Sequence, residues 1–523
     1  MKSKNKEQKN SGIQNNSNAT TSPSYSNTLD SSNKTSYWKF LVELKQLPDW
    51  IVCFVSCLVC YLFITHLYPY PATYSDSFSY VAAAADNQFS IFRPFGYSAF
   101  LRFLHPISKS ITFVILSQFL IYFISVALLI MALKKYYPMK TIVRIPVEVI
   151  LIISPAVIYM LNALMSDALF CCSIFVMIAM LLVMFHESLG SAIAAAILYL
   201  IAFHCSLYLR YSAMFFPIAI VPFLFFAKPK ALSWTTIALT GIIFLTFYQN
   251  ISSNMEKIVH VRQFSTGFDG WQLANNGLNA APFLDKNENP SNKKLVKLHQ
   301  FCMDERFDSL IVAKTHHDSV VTASFLWDTE LPLKQFLFSY MQEKSLSYPV
   351  AWAKLGGGLY AEYGKWLIVH HPVEFWKHYL SKNIVAGFYP THLEIIGKYT
   401  EIPTGDKDIV RWFDVKEDQP LPANSSFYEE KLSNVLPLFE LIDWIVFIIG
   451  LVLLCVFRKT AFDSRTKVLS FGLIVAFGFM YYGTTIFASP IALRYWMSMH
   501  AFKIAILWMA LSELFQRQSV KEA

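Results

Sequence analysis

Apolar stretches of about 20 residues recur along this chain, and no other feature limits its fold so severely. That is the length of helix needed to cross a hydrocarbon layer of roughly 30 Å. A soluble amphipathic helix would interrupt such stretches with charge every few positions, whereas these are apolar all round. Ten candidate spans fall near residues 49–68, 111–133, 143–162, 164–185, 190–207, 212–228, 233–250, 436–457, 467–488 and 492–514. The pattern predicts an all-α polytopic membrane protein of about ten transmembrane helices. The third and fourth spans nearly touch, as do the fifth and sixth, so either pair can form a hairpin or a re-entrant turn.

Basic residues set the expected orientation. The N-terminal tail is rich in Lys, "KKYYPMK" follows the second span, "KPK" the sixth and "RKTAFDSRTK" the eighth, and "RQSVKEA" ends the chain. With ten alternating spans these all fall on one side, and Lys and Arg collect on the cytoplasmic side of membrane proteins. The net charge of +8 therefore reads as topology rather than as a nucleic-acid-binding surface. Residues 1–36, dominated by Ser, Asn and Lys, cannot bury a core and are expected to be a disordered cytoplasmic tail. The expected order is then a transmembrane module over 37–250, an extracytoplasmic domain over 251–435, further transmembrane helices over 436–514 and a cytoplasmic tail over 515–523. Amphipathic pieces such as "LPLKQFLFSYMQEK" predict that the extracytoplasmic domain is mostly helical.

Of the eight cysteines, only Cys302 lies outside or away from the edge of an apolar run, and none has metal-ligand spacing. They read as small packing residues. No inverted repeat of the kind common in transporters is evident.

Chemistry concentrates in the loop over 69–110, on the same expected face as the large domain. "TYSDSFSY" places Asp76 there, where a carboxylate can take a proton from an acceptor hydroxyl or amine. The plainer role is a helix cap by Ser75 or Asp76. "FRPFGYSAFL" follows with Arg93, whose planar fork of donors suits phosphate, and Tyr97; an interfacial arginine that only snorkels is the commoner case. Three more polar spots lie at span ends on the same face: Asp167 in "NALMSDALF", Arg210 in "LYLRYSAMFFP", and Arg494 with Tyr495 in "SPIALRYWMSMH". Ionisable residues in membrane segments are costly and by default mark a cavity or an ion pair. An Asp167–Arg210 pair is the structural alternative, but the shared face of all these residues points to one cavity.

The order of these elements resembles the GT-C superfamily of integral-membrane glycosyltransferases, nearest to the branch of protein O-mannosyltransferases and lipid A aminoarabinose transferases. The R-P-x-G-Y element is its most characteristic part, and "GFDGWQLANNGL" (267–278) and "HHPVEFWKHYLSKN" (370–383) resemble segments of uncharacterised bacterial members. The resemblance implies a polyprenyl-phosphate-linked sugar donor, a glycan, lipid or protein acceptor, and transfer on the extracytoplasmic face of a bacterial inner membrane. Asp76 would be the base, with Arg93, Tyr97, Asp167, Arg210, Arg494 and Tyr495 as substrate-binding residues. Many relatives carry adjacent Asp-Glu where this chain has Asp76 and Ser77, and the loop has no D-x-D. Asp86 is a weak substitute, so a divalent metal is not indicated and no cofactor beyond the lipid-linked donor is expected. A single displacement at the anomeric carbon inverts it and needs no protein nucleophile. Trp271, Trp352 and Trp366 can stack on sugars, although interfacial anchoring is the commoner role of a membrane-protein Trp. The rival readings are a polysaccharide or lipid transporter, an O-antigen ligase or polymerase, and a receptor or scaffold.

Overall fold

The computed structural model describes residues 35–68, 71–90, 92–315, 321–389, 407–413 and 425–522. The expected disordered tail lies outside them except for its last two residues; Ser36 accepts a hydrogen bond from the Lys39 N–H and caps the helix Tyr37–Val42. Among the described residues the chain is helical, and its single isolated β-bridge joins Ala72 to Ala163.

Among the described residues seven helices are long and apolar enough to cross a membrane: Leu44–Leu67, Ile111–Tyr136, Ser166–His186, Leu189–Leu209, Lys230–Val259, Val435–Val456 and Arg465–Ala488. This is fewer than the ten expected, and each difference has a physical cause. The third expected span breaks into Thr141–Ile152 and Pro155–Leu161, bent by 46°. Pro155 lacks an N–H and forces Ser154 into an extended conformation, which ends the first piece. The sixth is a short apolar stretch, Tyr211–Phe226, whose first turn is a tight 3-10 helix. The tenth is the helix Met499–Glu522, in which Lys503 and Glu513 interrupt the apolar run. That helix continues through residues expected to form the C-terminal tail. The third and fourth spans are joined by residues 162–165, which leave the helical conformation.

Ser166–His186 is the hub, with 94% of its most apolar window buried, against 28% for Leu44–Leu67 and 22% for Lys230–Val259. Rim helices turn Phe54, Leu58, Leu62, Ile242 and Leu245 outward, as a lipid-facing surface requires. Lipid tails are as apolar as Leu, so contacts between spans are selected by packing and by polar pairs rather than by escape from water. At the end of the bundle away from the first loop, Asp49 pairs with Lys134 and with Arg144 (2.7 Å), and Lys135 with Glu187 (2.7 Å).

Residues between the two groups of spans build a second hydrophobic core around Trp271, Trp352, Tyr360 and Tyr363. Its central pair is Phe268–Leu278 against Ala361–His370.

Candidate functional site

The first loop is stitched to the extended segment before Ser166. Ala72 donates to the Asn162 carbonyl (2.9 Å), the Leu164 N–H donates back to Ala72 (3.0 Å), and the Asn162 amide donates to Tyr68 (3.2 Å). The helix Ser75–Asp86 starts just beyond. Its N-terminus is secured by Ser77, whose hydroxyl accepts from the Tyr74 N–H (2.9 Å) and donates to the Leu164 carbonyl (2.8 Å). The cap is therefore neither Ser75 nor Asp76, and the Asp76 side chain is left for other partners.

Those partners are arginines. Arg93 donates to Asp76 Oδ1, and Arg494 donates through Nη1 to Oδ2 at 3.0 Å. Asp167, in the first turn of Ser166–His186, is paired with Arg210, which ends the Leu189–Leu209 span. Tyr495 lies between the two pairs. Its ring centroid is 4.8 Å from the Arg210 guanidinium carbon and 5.1 Å from that of Arg494, and its hydroxyl accepts from Arg494 (3.2 Å). Facing an aromatic ring compensates part of the cost of placing two cations close together. Burial favours the neutral form of Asp76, but Arg93, Arg494 and Arg210 together outweigh it and hold the carboxyl below its usual range.

Six of the expected site residues thus converge: Asp76, Arg93, Asp167, Arg210, Arg494 and Tyr495. The Asp167–Arg210 pair exists, and it sits inside the shared cluster rather than apart from it. Tyr97 does not join them. It is fully buried and donates to Gln118 Oε1 (2.8 Å), while the Gln118 amide donates to the Leu161 and Ala163 carbonyls. Asp86 is exposed at the far end of its helix. Trp271 and Trp352 have no exposed surface and stack on each other at 4.0 Å, so neither is a membrane anchor or an open sugar platform. Trp366 is also buried, beside His299.

The glycine of the R-P-F-G-Y element has a packing role. A Cβ on Gly96 would lie 2.4 Å from the Tyr208 carbonyl oxygen, two residues before Arg210. Only glycine lets the Gly96–Leu104 helix lie this close to the end of the Leu189–Leu209 span.

Two positioning residues escaped the sequence reading, although both lie in the quoted family-like segments. Asn276 of "GFDGWQLANNGL" donates to the Phe487 and Ala488 carbonyls (2.8 and 3.1 Å), closing the end of the Arg465–Ala488 span. Asn383, the last residue of "HHPVEFWKHYLSKN", donates to Ile486 and Ser489 and accepts from the Ile491 N–H (2.6, 2.8 and 2.9 Å). Both segments therefore shape the turn that delivers Arg494. A second ionic group was also missed: Lys503 donates to Glu440 and Asp443 (both 2.9 Å), and His500 Nδ1 lies 3.2 Å from both Asp443 oxygens.

Among the described residues no group of three or more His, Cys, Asp or Glu side chains is placed to hold a metal ion. No protein family, curated protein or solved structure matches this chain. The site and the helical fold therefore carry the functional argument: the chain is a helical polytopic membrane protein, without extended strands among the described residues, and has a partly open arginine–aspartate cluster where its helix ends meet.

Proposed function

We propose that the chain is a membrane glycosyltransferase that moves a sugar from a polyprenyl-phosphate-linked donor to an extracytoplasmic glycan, lipid or protein acceptor. One observation carries the reading: Asp76, Asp167, Arg93, Arg210 and Arg494 form one cluster whose guanidiniums outnumber its carboxylates by three to two. Among the described residues the cluster has one uncompensated positive charge, the complement of a phosphodiester. The donor's lipid would lie among the spans, with its phosphate at the arginines and its anomeric carbon toward Asp76. Phosphate is a competent leaving group, so the protein's contribution is positioning and charge stabilisation. Asp76 takes the acceptor proton during an inverting displacement.

The test is transfer by Asp76→Asn in a strain lacking the chain, judged by whether the polyprenyl-phosphate sugar that accumulates is consumed again. Loss of a positioned base lowers rate by about 10²–10⁴-fold. Wild-type transfer by an equally expressed Asp76→Asn would falsify the catalytic assignment.

A transporter is the second reading, because the bend between Ile152 and Pro155 is a discontinuous span of the sort transporters use. His500 Nε2 lies 3.0 Å from the Ile150 carbonyl beside that bend. Transport of the same lipid-linked sugar by Asp76→Asn, without transfer, would favour it.

A further inference from the structure

We propose that the donor phosphate takes over Arg93 and Arg494 from Asp76, so that the carboxylate becomes free to accept a proton only when donor is bound. This rests on the glycosyltransferase reading and adds to it the control of its base.

The reason is a conflict within the site as it stands. A base needs an oxygen open to the acceptor, yet Arg93 holds Oδ1 and Arg494 holds Oδ2. Two guanidiniums stabilise the carboxylate, so the paired Asp76 is a weak proton acceptor. It becomes useful only after at least one pair opens. Something must replace the lost partner, since a guanidinium left without a counter-charge in a site largely closed to water is unfavourable.

The cluster is arranged for such a replacement. The side chains of Arg93, Arg210 and Arg494 are 22%, 26% and 19% exposed, whereas those of Asp76 and Asp167 are 10% and 4% exposed. An arriving anion therefore meets the guanidiniums before the carboxylates. Arg494 spends its second Nη on the neutral Tyr495 hydroxyl, a partner that a charged phosphate oxygen betters. Arg93 comes from a short segment between two helices, Ser75–Asp86 and Gly96–Leu104, rather than from inside either. Its pairing can change without moving a span.

Charge stays balanced through the step. A phosphodiester donor brings one negative charge to a cluster of three guanidiniums and two carboxylates, giving zero. The acceptor oxygen then bonds to the anomeric carbon, and the bond from that carbon to the phosphate oxygen breaks with its electron pair on the oxygen. The acceptor proton passes to Asp76. The phosphate has gained the charge that Asp76 has lost, and the same arginines hold it. Loss of the proton from Asp76 and departure of the lipid phosphate restore the paired state.

Infrared difference spectroscopy on the full chain in lipid nanodiscs, with isotope-labelled aspartate and farnesyl phosphate as the probe, tests the exchange. The antisymmetric carboxylate stretch that is absent from Asp76→Asn identifies the residue. It should shift on adding farnesyl phosphate to the wild type, as guanidinium pairing is lost. Titration supplies a second measurement. Asp76→Asn removes the competitor for the arginines and should bind farnesyl phosphate on the order of tenfold more tightly, the equivalent of about 1.4 kcal/mol. The gain should vanish in Asp76→Asn with Arg494→Ala. An unshifted Asp76 band with probe bound to the wild type overturns the exchange and leaves the glycosyltransferase reading standing. If neither wild type nor Asp76→Asn binds the probe, both fall together.

Discussion

Gly96→Ala is a one-carbon change whose consequence follows from geometry. The new Cβ would lie 2.4 Å from the Tyr208 carbonyl oxygen and 2.7 Å from its carbon. These are backbone atoms near the end of a transmembrane helix, so no side-chain rotation relieves the clash. Ordinary contact begins near 3.4 Å, and the two helices must separate by about 1 Å to reach it. Overpacking of this kind costs typically 1–3 kcal/mol. Alanine's better helix propensity returns at most about 1 kcal/mol, and less at the first position of a helix. The net expectation is a loss of about 1–2 kcal/mol. A larger effect should fall on the site, because Arg210 follows Tyr208 by two residues and its pairing with Asp167 depends on where that helix ends.

Thermal unfolding in detergent measures the first effect, and farnesyl phosphate titration the second. Gly483→Ala is the matched control, since a Cβ there meets nothing within 4 Å and should leave stability equal or slightly raised. If Gly96→Ala matched Gly483→Ala in both measurements, the close approach would not be a constraint, and the packing account of the R-P-F-G-Y glycine would be wrong.

Two further expectations concern the region between the spans. Asn287 is exposed, and six of the eight native cysteines are buried, so Asn287→Cys should react with an impermeant maleimide in intact cells; protection there, with labelling only after lysis, would invert the proposed topology. Lys334 is buried, with its ammonium 4.4 Å from the Trp352 ring and 2.5 Å from the Tyr348 hydroxyl, and burial pushes it down to about 8 from 10.5. The unfolded chain then binds this proton more tightly than the folded one, so this residue's contribution makes stability rise with pH from about 8 to 10.5. The slope of melting temperature against pH in that window should be smaller for Lys334→Met than for wild type, and equal slopes would remove Lys334 as its source.

Much of this was legible in the sequence because it depends on local quantities. Uninterrupted apolar length identifies a spanning helix without knowledge of its neighbours, and all seven long apolar helices fall on expected spans. The clustering of Asp76, Asp167, Arg210 and Arg494 followed from one inference, that span ends on the same side meet. What stayed hidden was relational. Nothing near Asp76 in sequence shows that Ser77 takes the capping role, because the Leu164 carbonyl that orients the Ser77 hydroxyl is 87 residues away. Tyr97 beside Arg93 looked equally available, yet its hydroxyl turns inward to Gln118. Trp271 and Trp352 were each readable as surface aromatics, and only their mutual stacking shows that both are core.

The second ionic group shows where reading by residue type stops. Glu440 and Asp443 are three apart on one helix, as are His500 and Lys503 on another, and that spacing puts each pair on one face. The sequence does not say that the two faces oppose each other. Once they do, Lys503 bridges both carboxylates, and His500 presents both ring nitrogens to oxygens, Asp443 on one side and the Ile150 carbonyl on the other. An imidazolium satisfies both, which leaves two positive and two negative charges and no net charge in the membrane. The contrast with the Asp76 cluster is instructive. Here all four side chains are at least 97% buried and their charges balance, the condition for a group that ties helices together. Around Asp76 the arginines are partly open and the charges do not balance. Both groups lie near the turn at Arg494, but only the Asp76 cluster has the surplus charge and the access that an anionic substrate requires.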